Sequence, residues 1–396
     1  MNASTTEQPI SDQEGRRREA LQATGWGARF HFLQLHNACF WIYLLLVGAG
    51  LRVVLNMALP SAGLFAAADT AAIVTAGLFC FAFLLVLHHV DRWERTPAKL
   101  ALVAFLGGGL AAPWAMALPG NGAMMTLYAK IFGQSFAADW QAGLTAPFVE
   151  ETAKGAMFLL LLGLAPVVIR TVYDGLIVGA YVGLGFQVLE DMLYGQNSAF
   201  SHFGVDQAGS VLHTFAMRAA TGVASHALYT ALFGAGLIYL IGTVAQPRRV
   251  GRGLALVLAA MVFHGVWDST AALAGGQVYP LLALLLVMTV LPVLVLILAV
   301  RLGANRERGY ARAVLAPEVA NGTITHAELD AVAGDRSRRR RDRKAALANR
   351  PSGTSRRHER QVLRAIHDLL HDLAASGGED DENVQHARDE IQRLRG

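Results

Sequence analysis

Glu150, Glu151 and Lys154 stand within one helical turn of each other in "APFVEETAKGAMFLLLLGLAP", residues 146–166, an otherwise apolar run. An ionised side chain at the centre of a bilayer costs about 2.5–3.5 kcal/mol to insert, so a chain that keeps three of them together needs a reason. Other apolar runs carry groups of the same kind. Glu190 and Asp191 lie in "GLGFQVLEDMLYG", His226 in "ASHALYT", and His264 with Asp268 in "MVFHGVWDS". Carboxylates beside imidazoles can activate water as a general base and return the proton to a leaving amine. A second histidine with a hydrogen-bonding neighbour can hold the oxyanion of a tetrahedral intermediate. Glu150–Lys154 and His264–Asp268 are spaced i,i+4, and Glu151–Lys154 i,i+3, so each pair shares a helix face. Pro147 reads as a first-turn residue, which would set the glutamates near the positive end of the helix dipole.

Several other chemistries lack their residues. The chain contains neither GxSxG nor HExxH, so a serine nucleophile elbow and the zinc-helix motif are absent. Its two cysteines, Cys39 and Cys80, both lie in apolar runs; a disulfide framework and a thiolate metal cluster are excluded. No cofactor is required by this set. Zinc stays open as an alternative, with His226 and His264 joined by Glu150 or Glu190 and one position left free.

The elements that would position these residues are membrane spans. Of 396 residues, 54% are hydrophobic and 16% charged, against about 25% charged in a soluble domain. Eight apolar runs reach the roughly 20 residues needed to cross a bilayer: 38–59, 71–90, 98–118, 143–165, 173–194, 213–244, 253–274 and 278–302. No secretory signal is read in the mostly polar residues before the first run. Arg16, Arg17, Arg18 and Arg29, then Arg92, Arg95 and Lys99, then Arg170, then Arg248, Arg249 and Arg252 fall on one side. The alternate connections hold a single cation, Lys130. Both termini are therefore expected in the cytoplasm of a multi-pass cell-membrane protein. With that orientation Glu150, Glu151, Lys154, Glu190, Asp191, His226, His264 and Asp268 all fall in the outer part of the bilayer.

The expected fold is an all-α polytopic membrane bundle of about eight spans. Residues 1–37 form a cytoplasmic N-terminal tail, 38–302 the membrane domain, and 303–396 a basic cytoplasmic tail, helical or partly disordered. Gly175, Gly179 and Gly183 recur every fourth residue, a pattern for close helix packing. Residues 119–142 read as too polar and glycine-rich to span, and are expected along the outer interface with Trp140 as anchor. In the tail, "DRSRRRRDRKAALANR" suits anionic lipid headgroups, and Val362, Leu363, Ile366, Leu369, Leu370 and Leu373 fall at helical spacing, with Gly377–Gly378 as the turn of a hairpin. The basic run lacks interleaved aromatics, so no nucleic-acid partner is expected.

A resemblance joins these pieces. "EETAK" resembles the EExxK motif of the PrsW family of bacterial intramembrane proteases, relatives of the CAAX prenyl endopeptidases. "FQVLED" is similar to that family's FxxxEN and gives Phe186 and Glu190, "SHALYT" resembles its third motif, "FHGVWD" its His-x-x-x-Asp, and "DRWERTP" its inner-loop run. The resemblance covers roughly residues 37–300, in the family's order. It implies a membrane-embedded endopeptidase of glutamic type, often labelled a metalloprotease. Glu150 or Glu151 would activate water, Glu190 would assist, and His226, or His264 with Asp268, would bind the oxyanion, with Lys154, Phe186 and Asp191 in support. Asp191 stands where the family places Asn, and Thr96 replaces an acid of the inner loop. The implied substrate class is a single-span membrane protein such as an anti-sigma factor, cut near the outer leaflet. The rival reading is a proton-coupled transporter or channel using the same acid and histidine cluster. Repeated halves or broken helices are expected of such a protein, and the sequence shows neither.

Overall fold

The computed structural model describes residues 10–60, 62–222, 225–334 and 356–395, and among them every regular element is helical. The chain divides into two compact units, Phe30–Val300 and a second made of Met1–Arg29 with Arg301–Gly396. Helix α1 spans Ile10–Thr24 and belongs to the second.

The larger unit begins with α2 (Ala38–Ala58) and α3 (Ala66–Val90). Next comes α4 (Ala98–Leu106), which runs through a π-helical stretch, Gly107–Ala117, into α5 (Leu118–Phe132). Then follow α6 (Gln134–Leu164), α7 (Val172–Ser201), α8 (Gln207–Thr221), α9 (His226–Ile241), α10 (Val250–Asp268), the short α11 (Thr270–Leu273) and α12 (Val278–Ala320). Among the described residues six helical stretches are long and apolar enough to cross a bilayer: α2, α3, the continuous Ala98–Phe132, α7, α10 and α12. The pair α8 and α9, bent by 43°, passes the same test when taken together. Helix α6 has the length, but Glu150, Glu151 and Lys154 interrupt its apolar run. The protein is a polytopic membrane helix bundle.

Helix α7 is its centre. In its most apolar stretch 83% is buried, against 17% in α2 and α3, where Leu45, Leu78, Phe81 and Leu85 are among the exposed residues, as expected of lipid-facing helices. The glycine stripe of α7 explains part of that burial. A Cβ at Gly179 or Gly183 would overlap the carbonyl oxygen of Thr230 or His226 on α9. The two backbones are in contact there, and the first turn of α9 is pressed against α7 at Gly183. A second seam joins α6 to α10: a Cβ at Gly143 would overlap Ser269, and one at Gly265 would lie 2.9 Å from the Gly143 carbonyl oxygen.

Four expectations change. The stretch 119–142, read as too polar and glycine-rich to span, is helical apart from Gly133. It continues the third span as α5 and turns at Gly133, whose φ of 88° suits glycine alone, into α6. Helix α6 therefore starts well before Pro147, which sits inside the helix. The glutamates are not near its N-terminus, and the helix dipole does not account for them. The sixth run is not one straight helix but the bent pair α8 and α9. The helix of the eighth does not stop at residue 302 but continues through Gly303 and Gly309 to Ala320.

The smaller unit contains α1, residues 301–320 of α12, α13 (His326–Ala333), α14 (Arg356–Ala375) and α15 (Glu382–Arg393). A capping box between Thr325 and Glu328 starts α13. Leu21, Leu315, Ile366, Leu369, Leu370, Leu373, Val384 and Ile391 are buried in this unit. Gly377 and Gly378, with φ of 68° and 88°, turn the chain between α14 and α15. Glu318, fully buried, accepts from Arg17 Nη2 at 2.7 Å and from Arg388 Nε and Nη2 at 2.9 and 2.8 Å. The arginine run 335–350 lies outside the described residues.

Candidate active site

The expensive residues of the four runs meet at one cavity of about 560 Å³. Glu150, Phe186, Glu190, Asp191, His226, His264 and Asp268 line it, while Glu151 and Lys154 lie fully buried behind its wall. Helix α6 brings the two glutamates and the lysine, α7 brings Phe186, Glu190 and Asp191, the first turn of α9 brings His226, and the last turns of α10 bring His264 and Asp268. The two glycine seams set these helices close enough for side chains to touch.

Glu151 is saturated on one oxygen. Its Oε1 accepts from Lys154 Nζ at 2.6 Å and from His264 Nδ1 at 2.9 Å. Lys154 spans the site: its Nζ also lies 2.8 Å from His226 Nδ1 and sits 4.3 Å above the Phe186 ring. An ammonium has only donors, so His226 Nδ1 accepts from it, and the ring proton is on Nε2. Nε2 then donates to Glu190 Oε2 at 2.9 Å. Glu190 Oε2 accepts in addition from Arg218 Nη2 at 2.7 Å, and Arg218 Nε donates to Asp191. One chain of charge-assisted bonds thus runs from α10 through α6, α9 and α7 to α8.

Glu150 differs. Its Oε1 accepts from Asn121 Nδ2 at 2.9 Å, while Oε2 is buried with no hydrogen-bond partner among the described residues. Around that oxygen stand His264 Nε2 at 3.7 Å, His226 Nδ1 at 3.9 Å and Lys154 Nζ at 3.9 Å. His264 Nε2 also faces Asp268 Oδ2 at 3.4 Å. Both nitrogens of His226 are engaged, whereas His264 Nε2 is turned toward Glu150. A buried carboxylate oxygen without a partner, beside an imidazole nitrogen, is arranged to receive a water proton.

Three cavity residues were not foreseen. Asn121 comes from α5, whose segment was expected along the outer interface. Arg218 packs 4.1 Å over the Tyr194 ring. Gln187 bridges the bend between α8 and α9, donating to the Gly222 carbonyl and accepting from Ala227 N, both at 3.4 Å. The pair Glu190–Asp191 in an apolar run was a signal that a cation should face it; which cation depended on the bend.

Glu150, His226 and His264 each offer one donor atom, all within 4.8 Å of one another. The types suit zinc, and the partnerless Glu150 Oε2 fits the set. Lys154 already holds His226 Nδ1, so an ion there would take the place of that contact. The sequence model of one family, described as PrsW family intramembrane metalloprotease, matches residues 96–333. No curated protein and no solved structure gives a match.

Proposed function

The chain belongs to the PrsW family of intramembrane proteases, and from that premise we propose that it hydrolyses a peptide bond of a single-span membrane protein near the outer leaflet, with Glu150 as the general base. The observation that carries this reading is the partnerless Oε2 of Glu150, a residue that lines the cavity, is held by Asn121 through Oε1, and has His264 Nε2 facing Oε2. Glu150 Oε2 takes a proton from water as the oxygen attacks the scissile carbonyl carbon. The negative charge passes to the carbonyl oxygen, where His264 Nε2–H stabilises it; this ring has carboxyl oxygens near both nitrogens and is placed to carry two protons. Glu150 then gives its proton to the leaving amine as the C–N bond breaks. Glu151 and Lys154 orient His264 and His226, and Glu190 with Arg218 fixes the His226 ring. Where a metal ion is bound, Glu150, His226 and His264 would hold it, and it would polarise the carbonyl and lower the pKa of water.

The topology belongs to the same proposal. Adding α6 to the seven apolar spans gives eight, with both termini cytoplasmic and the protein in the cell membrane. Counting from Leu164 to Glu150, Ile241 to His226 and Val250 to His264 at about 1.5 Å per residue gives roughly 21–23 Å from the inner helix ends. That depth falls in the outer third of a hydrocarbon core about 30 Å thick. A membrane-anchored anti-sigma factor is one substrate of this class, and the arginine run of the tail is assigned to anionic headgroups. The test is to map the new terminus of a cleaved single-span protein reconstituted in liposomes. A terminus at the outer end of the substrate's span agrees with the proposal, and one at its cytoplasmic end overturns the assigned depth.

A further inference from the structure

Three polar groups on the cavity wall are buried with no hydrogen-bond partner among the described residues, apart from Glu150 itself: Trp114 Nε1, Asn121 Oδ1 and the Tyr229 hydroxyl. A phenol buried without a partner is unfavourable, so a group inside the cavity completes it. The side chain of Tyr229 has what an oxyanion donor needs. It lies on α9, three residues after His226 and on the same face. Its ring stacks on His264, centroids 5.6 Å apart and planes 26° from parallel, and Phe263 packs 6.5 Å away. Only 1% of the residue is exposed, so its position is fixed by packing.

The other groups do not serve the same purpose. Asn121 Oδ1 is an acceptor, since its amide nitrogen is committed to Glu150, and an acceptor cannot stabilise an oxyanion. Trp114 Nε1 is a donor, but Trp114 makes no ring contact with a partner of Glu150. Thr145 and Thr230 have buried hydroxyls without partners, yet neither lines the cavity.

Resting on the hydrolytic reading above, we propose that the Tyr229 hydroxyl is a second hydrogen-bond donor to the oxyanion, and so a catalytic residue of the reaction. It donates beside His264 Nε2–H and keeps its proton throughout; no bond to it forms or breaks. A neutral donor that meets no acceptor among the described residues is pre-oriented for charge that appears only in the transition state.

The experiment compares the purified full chain, Tyr229→Phe and Glu150→Gln in detergent micelles, using an internally quenched single-span peptide as probe and rates normalised to the folded fraction. Phenylalanine keeps the ring stack and removes one oxygen. The expected result for Tyr229→Phe is a kcat about 100-fold below wild type, a KM within about twofold, and an unchanged melting temperature, while Glu150→Gln shows no turnover. A Tyr229→Phe kcat within about threefold of wild type, or a change confined to KM, with Glu150→Gln still inactive, overturns this role and leaves the protease reading standing. Failure of the wild type to cut, or undiminished cleavage by Glu150→Gln, removes both.

Discussion

Glu150 and Glu151 are neighbours in the chain and face different surroundings. Glu151 is buried and binds Lys154 and His264, so its carboxylate holds the site together. Each has one oxygen without a partner among the described residues, but only Glu150 borders the cavity. Their isosteric amides should therefore behave oppositely. Glu151→Gln leaves the buried Lys154 ammonium without its closest carboxylate, a loss of about 3 kcal/mol for a broken buried pair, and should lower the melting temperature measured in detergent. Glu150→Gln should melt near the wild type, since His264 Nε2 and Lys154 Nζ, at 3.7 and 3.9 Å, are beyond hydrogen-bond distance of it. Equal melting of the two variants would contradict this division. The motif residues were legible because ionisable groups in apolar runs are conspicuous. Which glutamate borders the cavity was not, since that depends on packing across helices.

At the scale of the elements, the site depends on how closely α7 approaches α9. Gly183 faces the backbone of His226 itself. Gly183→Val should push the helices apart, reduce thermal stability and abolish cleavage. Gly77→Ala, where nothing lies within 4 Å of an added Cβ, should leave both unchanged. A fully active Gly183→Val would show that the contact does not set the geometry. The glycine spacing on α7 announced such a seam in the sequence, and the apolar runs located most of the spans. Two boundaries escaped. The Gly-rich, polar look of residues 119–142 hid a helix stabilised by packing on α6, and the bend between α8 and α9 left no proline to mark it. The transporter reading expected a broken helix, and this bend is one. It holds His226 and Arg218 on either side of Glu190, a local use that needs no second half related by symmetry.

For the whole molecule, the smaller unit ties chain segments far apart in sequence: Arg17, Glu318 and Arg388 meet in one buried ion network. Arg388 also bonds Asp380 at 2.8 Å and holds its carboxyl below the usual carboxylate range. A carboxyl with a depressed folded value adds stability above its unfolded pKa, about 3.9, and loses it as pH falls through the folded value. Hydrogen exchange of the full chain should accordingly show α14 and α15 opening more readily at acid pH than at neutral pH. Unchanged protection across that range would remove the network from the account.

The central claim is that Glu150 activates water for peptide hydrolysis, and one experiment meets it directly. Wild type and Glu150→Gln are incubated with single-span membrane peptides, with and without a zinc chelator, while liposomes carrying either protein are followed for proton flux. The account predicts cleavage by the wild type that survives the chelator, none by the variant, and no flux from either. Cleavage lost to the chelator would make His226 and His264 metal ligands. Undiminished cleavage by Glu150→Gln, or flux without any peptide cut, would contradict the claim.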